Sequence, residues 1–410
     1  MSPADPRHVR MADYTYALPD ERIAKHPLPK RDASKLLVYK DSRISEDTFA
    51  SLSQHLPKGS LLVVNTTKVV HARLQFQKPT GGLIELFCLE PHNRYADITT
   101  AMVQQGKVLW QCLVGGAAKW KPGVALQLQH QDVIVTARMV SRNATDFTIE
   151  FDWMPEQLSF AEVLKIAGKV PLPPYLNREA EQGDELTYQT LFAREEGSVA
   201  APTASLHFTP ELMAGLEAWG VDKATVTLHV GAGTFKPVKS ETPGGHDMHA
   251  EWIEVSRDAI KSLLAHMGAP IVAAGTTALR TLESLYWIGC KLTRNPGLSG
   301  IDSMAVGQWE AYEKDEDVST EHSLTALLTW MEANGRDKIV TKTSILLGPG
   351  YKFRVVKGLI TNFHQPGSTL LLLVAAFIGE DWRLVYEYAL GHEFRFLSYG
   401  DGSLLWRKDL

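Results

Sequence analysis

Three histidines stand where apolar runs stop. His229 closes the run 225–230 just before Gly231-Ala-Gly233, His364 follows Leu359-Ile-Thr-Asn362-Phe, and His207 precedes Phe208-Thr209. Imidazole titrates near neutrality, which suits it to taking or giving a proton in a reaction. Alternation along 225–230 places Thr225, Thr227 and His229 on one face of a strand and Val226, Leu228 and Val230 on the other. Gly231 and Gly233 then allow backbone amides close to a ligand. The spacing is neither the dinucleotide pattern GxGxxG nor a phosphate-binding P-loop. A strand-end histidine above a glycine turn is also an ordinary structural device, so this segment leaves both readings open.

The string Gly275-Thr276-Thr277-Ala-Leu-Arg280-Thr-Leu-Glu283 reads as strand, turn and helix start. Free amides and the helix dipole there favour a carboxylate or phosphate. Arg280 could hold such a group, although Arg280 and Glu283 at i,i+3 also have the spacing of a plain surface ion pair. Asn362 and His364, at the end of a buried strand, are candidates for a cleft. Asp401, in Tyr399-Gly-Asp401-Gly, offers a carboxylate in a turn, although an Asp-Gly turn needs no function. His246-Asp-Met-His249 lacks further ligands at metal spacing, so no metal is expected. Ser205-Leu-His207 lacks the GxSxG elbow of a serine hydrolase.

These residues need a scaffold that gathers strand ends. Leu61-Leu-Val-Val-Asn65 is continuously apolar, as a strand buried on both faces should be. From about 72 to 153 the texture changes to short alternating runs, among them Ile84/Leu86/Cys88, Val124/Leu126/Leu128, Val133/Val135 and Phe147/Ile149/Phe151. Gly81-Gly82, Gly115-Gly116 and Pro122-Gly123 separate them, which predicts a small antiparallel β-barrel. Helices and strands then alternate. Ser159 and Glu162 form a capping box, Thr209-Pro210 opens a helix that Gly220 ends, and Ser256 caps another through Met267. Strand 271–274 leads to a helix ending near Gly289, and Ser368 caps an all-apolar helix over 369–378. The fold class expected is α/β: a large mixed α/β domain formed by 1–71 and 154–410, with an inserted small antiparallel β-barrel domain at 72–153. Residues 291–342 read as an acidic insertion with one amphipathic helix, Leu324, Leu327, Leu328 and Met331 on its apolar face. The three histidines are expected to meet in one pocket beside 275–277, at the crevice where strand ends collect.

Composition narrows the class further. The chain has 410 residues, 42 basic and 47 acidic, hence net −5; residues 1–150 carry 19 basic and 14 acidic (+5), and 151–410 carry 23 and 33 (−10). The basic amino-terminal part permits an anionic partner there. Cys88, Cys112 and Cys290 form no CxxC pair, which excludes a disulfide framework and fits a reducing cytoplasm. The polar amino terminus offers no signal peptide, and no apolar run reaches the roughly 20 residues of a membrane span.

At these same segments the chain resembles the S-adenosylmethionine:tRNA ribosyltransferase-isomerase family of queuosine biosynthesis. The resemblance rests on long strings: Leu61-Leu-Val-Val-Asn-Thr-Thr-Lys-Val-Val-His-Ala-Arg-Leu74, Pro171-Leu-Pro-Pro-Tyr175 and Gly197-Ser-Val-Ala-Ala-Pro-Thr-Ala-Ser-Leu-His-Phe-Thr209. Val226-Thr-Leu-His-Val-Gly-Ala-Gly-Thr-Phe-Lys-Pro-Val238, His246-Asp-Met-His-Ala-Glu251, Gly275 through Ser284, Thr361-Asn-Phe-His364 and Phe394-Arg-Phe-Leu-Ser-Tyr-Gly-Asp401 continue it in the family's order. The chain departs from the family's usual residues at Lys68 (Arg), His71 (Pro), Ser205 (Gly), Gln365 (Leu) and Gly367 (Lys).

The resemblance implies transfer and isomerisation of the ribosyl part of S-adenosylmethionine onto 7-aminomethyl-7-deazaguanine at the tRNA wobble position. Epoxyqueuosine-tRNA forms, while adenine and methionine leave. S-adenosylmethionine is consumed as a substrate, so no cofactor is implied. The sulfonium acidifies the ribose 5′ carbon, so a base is needed, with His207, His229 and His364 as candidates and Asp401 the next. Gly231, Gly233, Thr276, Thr277, Arg280, Glu283, Asn362 and Arg395 are the substrate-binding candidates, Glu283 either orienting Arg280 or binding the methionyl amine. Lys68, Arg73, Lys78, Lys119 and Lys121 are candidate tRNA phosphate contacts. Two other readings remain: a catalytically decayed tRNA-binding paralogue, and a same-fold enzyme acting on a free nucleoside.

Overall fold

The computed structural model describes residues 5–78, 81–121, 123–143, 146–231, 240–313 and 317–408. The amino-terminal part contributes a hairpin, β1 (Lys35–Lys40) and β2 (Arg43–Thr48), then the wholly buried β3 (Leu61–Asn65) and the short β4 (Thr67–Val69). Six strands follow: β5 (Arg73–Gln77), β6 (Leu83–Pro91), β7 (Lys107–Gly115), β8 (Leu126–His130), β9 (Val133–Arg142) and β10 (Phe147–Met154). They pair antiparallel in the order β5-β6-β7-β10-β9-β8, and β5 approaches β8, so the sheet is nearly closed into a barrel. The runs at Leu126/Leu128 and Val133/Val135 are thus strands, as the alternation predicts, while Val124 precedes β8. The barrel's apolar cluster continues past β10 to Phe160, Val163 and Leu164. The helix Phe160–Ala167 starts on the expected Ser159–Glu162 capping box, and Phe160 stacks obliquely on Trp110, Phe151 and Trp153.

The remaining strands are β11 (Glu195–Ser198), β12 (Asp222–His229), β13 (Glu251–Ser256), β14 (Ile271–Ala274), β15 (Lys338–Thr343), β16 (Gly358–Asn362) and β17 (Gly402–Trp406). The main sheet runs β15-β13-β12-β3-β14-β16-β17-β1-β2 and is mixed. Its centre, β12-β3-β14-β16, is parallel, whereas β16 pairs antiparallel with β17. β4 and β11 form a separate parallel pair. One face of the main sheet packs the helices Arg257–Ala265, Thr276–Arg294, Thr320–Ala333, Thr369–Ile378 and Trp382–Gly391. The other face is covered by Leu52, Leu56, Phe192 and the helix Pro210–Trp219, whose Thr209 cap, Pro210 start and Gly220 stop are as expected.

One expectation needs correction, and the segment 291–342 carries the helix expected of it. The helix opened by Thr276 passes through Gly289 and ends at Arg294. Gly289 is there for contact: a Cβ on it would lie 2.2 Å from the carbonyl oxygen of Ser323 on the neighbouring helix, so only glycine permits that approach. The acidic segment 291–342 is built into the main body. It supplies the helix Thr320–Ala333 and the edge strand β15, which pairs along its length with β13.

Candidate functional site

In the parallel centre of the sheet, β3, β12, β14 and β16 all end on the same side, and β17 begins there. Ligands of open α/β sheets bind in this place. Asn65, the last residue of β3, fastens the strand ends to one another. Its amide donates to the Leu228 carbonyl (3.0 Å) and the Thr277 hydroxyl (3.1 Å), and its oxygen accepts from the backbone N–H groups of Thr67 and Leu228 (both 3.1 Å). Gly275, between β14 and the helix, has φ +96°, a conformation open to glycine and costly for other residues. That turn places Thr276 and Thr277 at the helix start.

Above these ends lies a cavity of about 240 Å³. Gly231, Thr276, Thr277, Arg280, Asn362 and His364 line it, which brings together six of the expected residues. Gly233 lies outside the described residues. Glu251, Thr203, His246, Asp247, His249 and Ser398 also line it and were not foreseen as site residues.

Of the three candidate histidines, His364 is the one that lines this cavity. Its Nε2 is 2.9 Å from the Thr361 hydroxyl, whereas its Nδ1 is not buried and has no hydrogen bond among the described residues. Enclosure of the ring lowers its pKa to about 4, so it is neutral at pH 7. The backbone at His364 is held independently of the ring: its N–H donates to the Tyr386 hydroxyl (3.0 Å), and its carbonyl accepts from the Tyr16 hydroxyl. At the rim, burial also lowers the pKa of His246, with Asp247 opposing.

Arg280 approaches the cavity from the helix. One guanidinium nitrogen, Nη1, pairs with Glu251 of β13, and Nε donates to the Ile345 carbonyl at 3.2 Å. The other, Nη2, is buried and has no partner among the described residues. A buried charged donor left unpaired is costly unless something accepts from it. A bound carboxylate at the cavity would supply that acceptor.

The single-pocket expectation for the three histidines fails. His207 is 5% exposed and sits behind Asn362, hydrogen bonded to Ser34 (2.7 Å) and Asn362 (3.2 Å). It borders a separate cavity of about 20 Å³, together with Arg31, Ser34, Arg395 and Tyr399. His229 turns toward the barrel side. Its Nδ1 is 3.0 Å from the Thr67 hydroxyl and its Nε2 3.9 Å from Glu254, whose carboxylate also binds Lys338. Despite burial, the Lys338 hydrogen bond and the nearby His229 ring hold Glu254 down at about 2. Alternation gave the face of His229 correctly, but what packs on that face is set by β4 and β13.

Two acidic candidates also lie off the cavity. Glu283 is fully buried and accepts from the Tyr351 hydroxyl (2.8 Å) and the backbone N–H groups of Arg354, Val355 and Val356 (2.9–3.1 Å). Burial pushes its pKa up while these donors pull it down. It anchors a loop and does not touch Arg280. Asp401 accepts from the backbone N–H groups of Lys35 (3.1 Å) and Arg395 (2.8 Å) and pairs with the Arg395 side chain (2.9 Å). Asp401 and Arg395 therefore brace the wall behind His207.

The basic candidates divide into two sets. Lys68 is paired with Glu196 (2.7 Å), and Arg73 with Glu85 (3.0 Å) while lying over the Phe87 ring. Lys78 donates to the Lys119 carbonyl (2.6 Å), and Lys119 and Lys121 are exposed at the same end of the barrel.

His207 makes a testable contribution to stability. Burial lowers its pKa from 6.5 to about 4, with Asp401 opposing. The unfolded chain therefore binds more protons than the folded one across that window. Stability conferred by the neutral ring is complete above pH 6.5 and is lost as pH falls toward 4, to an extent of at most about 3 kcal/mol. Denaturant melts from pH 7 to 4 should show a shallower loss in His207→Gln than in the unsubstituted protein.

A mixed α/β sheet with a cavity at its strand ends, holding a neutral histidine and an unpaired arginine N–H, defines a ligand-binding site with the makings of an enzyme. Residues 11–405 match the family described as queuosine biosynthesis protein, and the chain belongs to that family. Proteins similar to it are named S-adenosylmethionine:tRNA ribosyltransferase-isomerase. One from Magnetococcus marinus is 36% identical, covering 97% of this chain and 94% of its own. One from Dechloromonas aromatica is 38% identical, covering 96% of each. A solved S-adenosylmethionine tRNA ribosyltransferase from Thermotoga maritima is 28% identical over 96% of this chain and 99% of its own, with a TM-score of 0.45. Among the described residues, no group of three or more His, Cys, Asp or Glu could hold a metal, and no helix is long and apolar enough to cross a membrane.

Proposed function

We propose that this protein transfers and isomerises the ribosyl moiety of S-adenosylmethionine onto 7-aminomethyl-7-deazaguanine in the anticodon of tRNA, giving epoxyqueuosine-tRNA, adenine and methionine. The observation that carries the reading is the free Nδ1 of His364 in one cavity with the unpartnered Nη2 of Arg280, in a member of the queuosine family. Arg280 takes the methionyl carboxylate, helped by the amides of the 275–277 helix start. His364 takes the proton that the sulfonium acidifies on the ribose 5′ carbon. Departing adenine accepts a proton, the aminomethyl nitrogen attacks the ribosyl carbon, and closure of the epoxide expels methionine. A decayed site is not favoured, because the residues that would do this chemistry, His364 and Arg280, are present and line one cavity. Purified protein with S-adenosylmethionine should release adenine with tRNA bearing the aminomethyl base and not without it. Release without tRNA would indicate the free-nucleoside enzyme, and tRNA binding without release the decayed paralogue.

On this reading the barrel, 72–153, is an inserted unit that grips tRNA for a cytoplasmic enzyme needing no cofactor or metal. The exposed Lys119 and Lys121 are better placed for phosphate than Lys68 and Arg73, whose charges are already paired. Lys121→Ala is expected to make the logarithmic salt dependence of tRNA affinity shallower by about 0.7–0.9. Arg73→Ala should leave the slope unchanged and lower the melting temperature, since Arg73 braces Glu85 and Phe87. Binding titrations from low to physiological salt distinguish the two.

A further inference from the structure

Behind the cavity wall runs a chain of hydrogen bonds: Arg31 carbonyl, Ser34, His207, Asn362, Thr203. The Ser34 hydroxyl donates to the Arg31 carbonyl at 3.1 Å. Assigning its one proton to that bond makes it the acceptor at its 2.7 Å contact with His207 Nδ1. Nδ1 then carries the imidazole proton, and Nε2 offers a lone pair to the Asn362 amide at 3.2 Å. With its N–H₂ directed to His207 and, at 3.5 Å, to the Asp401 carbonyl, Asn362 turns its oxygen the other way, where it accepts from the Thr203 hydroxyl at 2.9 Å. Asn362 and Thr203 both line the cavity; His207 does not. Phe49 stacks on the imidazole with centroids 4.5 Å apart, and a Cβ at Gly402 would come within 3.5 Å of His207 Nε2. The ring is therefore clamped on its face as well as at both nitrogens.

We propose that His207 is a positioning residue: it fixes the Asn362 carboxamide so that Oδ1, beside Thr203, meets an N–H or O–H donor on the nucleoside part of the substrate. This rests on the function proposed above and adds to it a specificity determinant. An amide left free would present donor or acceptor by rotation; the Nδ1-protonated tautomer, its Nε2 closer to the amide than the Asp401 carbonyl is (3.2 against 3.5 Å), opposes that choice. Of the charged groups facing the ring, Asp401 favours the imidazolium, whereas the Arg395 and Arg31 charges act with burial, and burial prevails. A ring that stays neutral keeps Nε2 available as acceptor throughout the physiological range.

The test is a double-mutant cycle with adenine release as readout. His207→Leu and Asn362→Ala should each lower kcat/KM for S-adenosylmethionine about 10- to 100-fold, the scale of a misplaced substrate contact. The double variant should be no worse than Asn362→Ala alone, because the two act as one unit. His207→Gln, which can accept the same N–H, should recover most of the loss and leave the acid limb of the pH profile in place. Losses that multiply, or an acid limb that vanishes in His207→Gln, would overturn the proposal and make His207 a proton-transfer group. Spectra of ¹⁵N-histidine-labelled protein without substrate give a second measurement. They should show His207 neutral with the proton on Nδ1 from pH 5 to 8, and an Nε2–H tautomer or an imidazolium at pH 7 refutes the positioning role. That measurement stands even if the unsubstituted enzyme releases no adenine, an outcome that would sink the proposed function alone.

Discussion

Replacing His364 by alanine should lower turnover by roughly 10²–10⁴-fold, or about 3–5 kcal/mol of barrier, while tRNA affinity stays as it was. The expectation follows from which atoms hold what. Among the described residues the ring makes one hydrogen bond, Nε2 to Thr361, and His364 lines the cavity. Tyr16 and Tyr386 hold the main chain at His364, so alanine removes the imidazole without releasing the strand end. With a pKa near 4 the ring is unprotonated at every pH where the enzyme would work. Activity that depends on it should be level from pH 6 to 8 and fall only as pH approaches 4, because protonation removes the base. Single-turnover adenine release with saturating tRNA isolates this step from binding. Near-normal release in His364→Ala would move the proton to another group, with His246 at the rim the next to test.

The cavity was legible in the sequence because its residues sit at strand ends, and strand ends are what composition marks. Leu61–Asn65 and Gly358–Asn362 are buried along their whole length and stop at a polar residue. Gly275 marks the turn that opens a helix. Such local signals placed Thr276, Thr277, Arg280, Asn362 and His364 together. They could not place what pairs across the sheet. Glu251 begins β13 and meets Arg280 from 29 residues away, a distance over which no periodicity carries information. Without that partner, Glu283, one turn along the same helix, was the natural mate for Arg280, yet it faces the 354–356 loop.

His207 and His229 show the same boundary from the other side. Alternation says which face of a strand a side chain is on, which places His229 with Thr225 and Thr227; His207 ends a short 3-10 helix, where alternation says nothing. Whether a face is covered or left open depends on elements distant in sequence: Ser34 and Asn362 for the first, Thr67 and Glu254 for the second. The departures from the family's usual residues divide in the same way. His71 is buried against the Lys165 carbonyl, and Ser205 keeps a buried hydroxyl with no hydrogen bond among the described residues, whereas Gln365 lines the cavity. Of these three, Gln365 is the one placed to touch substrate.

Arg280→Met should raise the Kd for S-adenosylmethionine roughly 10- to 100-fold, and it should also destabilise the fold; a second substitution separates the two effects. The guanidinium neutralises Glu251, which is 5% exposed, and removing one member of a buried pair costs about 3–5 kcal/mol because the other charge is left uncompensated. Arg280→Met with Glu251→Gln takes both charges away and should restore most of the melting temperature. Affinity should stay low, since methionine cannot replace the charge-assisted hydrogen bond from Nη2 to the methionyl carboxylate, worth about 1.5–3 kcal/mol. Arg280→Lys should keep the charge that Glu251 needs but, with one ammonium in place of a fork, serve Glu251 or the ligand and not both. Calorimetric titration with S-adenosylmethionine and with decarboxylated S-adenosylmethionine completes the argument. The unsubstituted protein should discriminate strongly between them, and the double variant hardly at all. Equal discrimination in both proteins would mean that the carboxylate lies elsewhere in the cavity and that the buried Nη2 serves some other acceptor.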